Sequence, residues 1–77
     1  MELNRITINP NICHGKPTIR GMRIMVSDIL EMLAGGMTRD EILDDYPYLE
    51  KEDIDESLKF AAKLAAYRQF DLSKKPA

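Results

Sequence analysis

The chain begins with a short alternation of apolar and polar residues and then changes to a helical period. Arg5 to Ile8 reads R-I-T-I, which puts Ile6 and Ile8 on one side of an extended segment and predicts a short strand. Asn9-Pro10-Asn11 marks a turn. Ile12 to Arg20 offers a second short strand, interrupted by Gly15 and Pro17. Proline lacks the amide that a ladder requires, so this strand is an edge or starts after Pro17.

From Val26 onward the period is that of a helix. Val26, Ile29, Leu30 and Leu33 recur at i, i+3, i+4 and i+7, with Ser27 as candidate N-cap and Gly35-Gly36 as the stop. Thr38-Arg39-Asp40-Glu41 spells the capping box S/T-x-x-E and opens helix two. Ile42, Leu43 and Tyr46 give that helix its buried side, and Pro47 ends it. Helix three is expected from about Glu50 to Gln69, with two apolar stripes. One is Ile54, Leu58, Ala61, Ala62 and Ala65; the other is Phe60, Leu64 and Tyr67. Two stripes predict two packing partners, the helix's own domain and a further surface. The tail D-L-S-K-K-P-A is expected to fray. The chain therefore divides into a strand-and-loop extension (1–26), a trihelical domain (27–70) and a flexible tail (71–77). The expected fold class is mainly α, a trihelical domain of helix-turn-helix type with a short N-terminal β extension.

Length sharpens the need for a partner. A chain of 77 residues buries only about 60–65% of its unfolded surface. With one cysteine and one histidine, no intrachain disulfide and no structural zinc site is expected, and no other metal or cofactor is implied. A homodimer is the expected remedy, with Phe60, Leu64 and Tyr67 at its interface. No run has transmembrane length and M-E-L-N-R-I-T-I-N-P is no signal peptide, so a soluble, cytoplasmic protein is expected, without a membrane partner.

Charge is uneven. Residues 1–39 hold five cations and three acids (+2), and residues 40–77 hold six cations and ten acids (−4). The run C-H-G-K-P-T-I-R-G-M-R, residues 13–23, has Lys16, Arg20 and Arg23 and no acid. Its arginines suit bidentate contact with phosphate or carboxylate. Three targets remain open: nucleic-acid phosphate, a carboxylate-rich protein surface, or acids inside a dimer that make the loop structural. The start of helix three, E-K-E-D-I-D-E, has five acids and one cation. Those acids would repel a duplex and suit the helix dipole, so this end of the helix does not read bases.

Other chemistry fails on residue type. Gly15-Lys16 resembles the end of a P-loop, but Pro10 stands where the pattern needs glycine and Pro17 where it needs Ser or Thr. Cys13 and His14 are adjacent, so in extended chain they point to opposite faces and form no nucleophile–base pair. No catalytic constellation is found, and an enzyme is not expected.

Gly15 to Ile24, the helix ending at Gly36, and Tyr46-Pro47-Tyr48-Leu49 together resemble domain-of-unknown-function family 433, over about residues 6–65. The family's G-K-P-x-I-x-G-T-R-I core has Met22 in place of threonine here, and Asn9 precedes Pro10 where aspartate is common. The resemblance implies a homeodomain-like trihelical dimer whose N-terminal strands, here Ile6 and Ile8, pair between subunits. It also implies an antitoxin of a type II toxin–antitoxin pair that neutralises a PIN-like nuclease toxin. The expectation is then a DNA-binding autoregulator that contacts operator phosphates through Lys16, Arg20 and Arg23, with Arg39 accessory. The alternative is a protein-interaction module without DNA binding, whose acids mask a basic toxin surface.

Overall fold

Pro17 sets where the sheet can start. In the computed structural model, which describes residues 3–67, β1 (Ile6–Thr7) pairs antiparallel with β2 (Thr18–Ile19), Ile6 opposite Ile19 and Thr7 opposite Thr18. The second strand begins directly after the proline. This pairing lies within one chain. Thr18 is fully buried, and its hydroxyl lies 3.1 Å from that of Thr7. Ile6 packs against the core, but Ile8 lies beyond the strand and is 65% exposed. The alternation that grouped these two isoleucines therefore ends at Thr7.

Helix α1 (Val26–Ala34) starts one residue earlier than its expected cap. The Val26 amide donates to the Pro17 carbonyl at 3.0 Å, and Thr18 bridges to Met25. That tie to the strand makes Met25 the capping position, and the Asp28 carboxylate accepts the Met25 amide at 3.0 Å. Ser27 thus falls inside the first turn and caps nothing, which corrects the expectation from sequence. The other end is as expected. Gly36 takes φ 99°, Gly36 N–H donates to Leu33, and Met37 N–H reaches back to Met32. This is the paired bonding of a Schellman cap, which favours glycine because other residues resist the left-handed conformation.

Helix α2 (Arg39–Asp45) has both halves of its capping box. Glu41 N–H donates to Thr38 Oγ1 at 3.1 Å, and Thr38 N–H donates to Glu41 Oε1 at 2.8 Å. The bond from the Thr38 amide, followed by that from its side chain, holds the Glu41 carboxyl below its ordinary range. Tyr46 leaves the helical region ahead of Pro47, as a residue before proline tends to do.

Helix α3 (Lys51–Tyr67) buries Asp53, Ile54 and Ser57. Leu58 is 37% exposed and Ala62 and Ala65 are exposed, so the inward face is rotated from the first expected stripe. The continuation of α3 expected to Gln69, and the flexible tail, lie outside the described residues. The core is Ile19, Ile24, Val26, Ile29, Ile42, Leu49 and Ile54. Two of these precede the first α-helix, so the strand-and-loop extension and the three helices share one apolar interior. No helix among the described residues is long and apolar enough to cross a membrane.

Candidate functional site

The basic loop turns inward at Arg20. Arg20 and Gly21 have φ of 46° and 72°, and Met22 N–H donates to the Ile19 carbonyl at 2.8 Å. Two central residues at positive φ characterise a mirror-image turn, usually Asn-Gly or Gly-Gly. Arginine here is strained, and several bonds hold it. Arg20 N–H donates to the Arg5 carbonyl at 2.7 Å, and Gly21 N–H to Thr7 Oγ1 at 2.9 Å.

The side chain of Arg20 then meets a buried acid. Its Nε lies 3.2 Å from Asp53 Oδ1 and its Nη2 lies 2.8 Å from Asp53 Oδ2, while Nη2 also donates to the Tyr48 carbonyl at 2.8 Å. Arg5 Nη1 reaches Asp53 Oδ1 at 3.0 Å and also binds Glu50. The Glu50 amide donates to Asp53 Oδ2 at 2.8 Å. Burial pushes the Asp53 carboxyl up, but the bonds from Arg20, the Glu50 amide and Arg5 outweigh it and hold the group below the ordinary carboxylate range. Asp53, together with Arg5, is the buried ion-pair centre that sequence reading missed. One signal is present: Asp53, Ser57, Phe60 and Leu64 recur at helical spacing, a pattern that a stripe defined by apolar residues alone does not contain.

Of the four expected phosphate-binding cations, two are held in ion pairs within the chain. Arg20 is engaged by Asp53. Arg39 pairs with Asp55 of α3, and both side chains are partly exposed. Lys16 and Arg23 are exposed and make no ion pair among the described residues. Cys13, His14 and Gly15 have φ of 51°, 57° and 80°. Their left-handed turn is closed by Gly15 N–H to Ile12 and Lys16 N–H to Cys13.

Two concave surfaces flank α1. One, about 370 Å³, is an apolar groove where Leu30 of α1 faces Phe60, Ala61 and Leu64 of α3, with Lys16 beside it. Leu64 of this lining is 54% exposed, and Tyr67 on the same helix is 87% exposed. Of the expected dimer-interface residues, Phe60 lies against the core, while Ile8, Leu64 and Tyr67 remain exposed. The other surface is a cleft of about 450 Å³ between α1 and the α2–α3 link. It has the two tyrosines Tyr46 and Tyr48, the carboxylates Asp28 and Glu31, and Arg23, over Ile24 and Met32.

These elements define a small trihelical domain whose N-terminal β-turn is pinned to a buried carboxylate. The chain belongs to the family described as "Protein of unknown function (DUF433)", whose model matches residues 6–61. The solved structure of a DUF433 member protein from Anabaena variabilis is similar, with TM-score 0.77 and 30% identity over 83% of this chain. This chain spans 63% of that protein's length. No curated protein matches the sequence.

Proposed function

We propose that the protein is a partner-binding module of the antitoxin type, a homodimer that neutralises a PIN-like nuclease toxin by covering a basic surface on it. The observation that carries this reading is the charge on α2. Asp40, Glu41, Asp44 and Asp45 are all exposed on a seven-residue helix. The only cation of that helix, Arg39, is drawn to Asp55 on α3. Asp40, Asp44 and Asp45 therefore have no counter-ion among the described residues. Such a patch attracts a basic protein and repels a polyanion. The family resemblance supports the antitoxin role, and the exposed Leu64 and Tyr67 support the dimer.

A second reading, operator binding, rests on Lys16 and Arg23, the two loop cations without an ion pair among the described residues. One titration series compares the two readings. The protein is mixed with a PIN-like nuclease and, separately, with a duplex of its own upstream sequence. The expected result is a protein complex that weakens with salt and with Asp44→Asn plus Asp45→Asn. Duplex binding should be no tighter than the about 10⁻⁴–10⁻⁶ M of non-specific contact. A tight, salt-dependent duplex affinity lost in Lys16→Ala plus Arg23→Ala, with no protein complex, replaces the first reading with the second.

A further inference from the structure

We infer that the cleft between α1 and the α2–α3 link is a socket for an arginine side chain of a partner protein. This rests on the partner-binding reading and names the contact. The rings of Tyr46 and Tyr48 meet edge to face, with centroids 6.0 Å apart and planes at 83°. The two rings are therefore nearly perpendicular; Tyr46 packs against the core, and Tyr48, 50% exposed, is the surface on which a guanidinium can stack. Asp28 and Glu31 stand three residues apart on α1, a spacing that shares one helix face. One Asp28 oxygen accepts the Met25 amide, and its other oxygen has no hydrogen-bond partner among the described residues. Glu31 has no ion pair among them either.

The lining charges are two carboxylates and one guanidinium, Arg23, so their sum is −1. A cation is thus preferred over an anion. Arginine is preferred over lysine because its planar fork both stacks on tyrosine and grips a carboxylate with two bonds. The volume of about 450 Å³ exceeds one guanidinium and admits the residues on either side of it. Arg23 has the opposite role to the one its sequence suggested. Its charge opposes the incoming side chain, so removing it strengthens binding.

The test titrates the isotope-labelled full chain with Nα-acetyl-arginine amide, and in parallel with the neutral citrulline analogue and with inorganic phosphate, by amide nitrogen–proton correlation spectra. Arginine should shift the signals of Glu31, Tyr46 and Tyr48 with a saturating Kd of about 1 mM. Citrulline should bind at least about tenfold more weakly, because it lacks the charge. Glu31→Gln and Tyr48→Ala should each weaken arginine binding, and Arg23→Gln should tighten it. Melting curves check that each variant is folded, and Glu31, being exposed, is the safer of the two. The socket is overturned if arginine gives no saturable shift there, or if citrulline binds equally. It is also overturned if phosphate binds the cleft and Arg23→Gln abolishes that binding. The free-chain titration needs no partner. If arginine binds but the PIN-like nuclease forms no complex, the partner reading falls and the socket stands. If a complex forms, survives Glu31→Gln and Tyr48→Ala, and free arginine leaves the cleft unchanged, the socket falls and the partner reading stands.

Discussion

Asp53→Asn removes one charge and almost no volume, so it isolates what the buried carboxylate does. The native group is fully buried and accepts four hydrogen bonds, two from Arg20, one from Arg5 and one from the Glu50 amide. The amide nitrogen of asparagine would replace one of the two oxygens and set a donor against two of these four donors. Breaking a buried ion pair from one side costs about 3–5 kcal/mol. The Arg5 and Arg20 side chains retain 28% and 36% of their exposure, so water recovers part of that loss, and Glu50 and Glu56 still hold Arg5. The expected destabilisation is about 2–4 kcal/mol, which for a chain of this size lowers Tm by about 10–25 °C. Urea and thermal melts measure it, with Asp55→Asn as control, an exposed pair contributing about 0–1 kcal/mol. The pH dependence has a definite sign. Because the folded pKa of Asp53 lies below its ordinary 3.8, its contribution is complete above that value and is lost as pH falls below it. The gap between parent and Asp53→Asn should therefore close on acidification. Equal midpoints for Asp53→Asn and Asp55→Asn at neutral pH would refute the keystone role of Asp53.

Thr38→Ala should destabilise the protein by about 0.5–2 kcal/mol, through loss of the N-cap, and an unchanged denaturation midpoint rejects that. Gly36→Ala should cost about 1–2 kcal/mol by urea melt, because φ is 99° although no atom crowds a new Cβ. Leu64→Asp should dissociate the proposed dimer in sedimentation equilibrium at micromolar concentration while leaving the monomer's Tm nearly unchanged, since Leu64 is 54% exposed. A parent that is folded and strictly monomeric removes the dimer.

What was legible in the sequence acts over a few residues. Thr38 and Glu41 find each other three positions apart, and Gly36 is needed where α1 must reverse, so both could be read from neighbours alone. Pro17 fixed the start of β2 for the same reason. What was not legible depends on distant chain. Ser27 looked like a cap because nothing nearby shows that the Pro17 carbonyl takes the Val26 amide. Asp53 had a sufficient local explanation, an acid at a helix start, and its ligands lie 48 and 33 residues away. Arg20 looked like a phosphate ligand because its positive φ, which turns it toward Asp53, is atypical of arginine. The cleft was invisible because Tyr46 and Tyr48 acquire meaning only when α1 brings Asp28 and Glu31 beside them.

The long sequence separations in the Asp53 cluster also set an order of events in time. Capping boxes and helical turns close within a few residues, whereas Arg5 and Arg20 reach Asp53 only after the chain between has folded back. Contacts made after the folding barrier leave the forward rate unchanged and slow the reverse one. If these contacts form after the barrier, the cluster acts as a latch: it sets how long a folded molecule stays closed more than how fast it closes. In stopped-flow kinetics, breaking the latch should steeply raise the unfolding limb of the chevron and leave the refolding limb nearly in place.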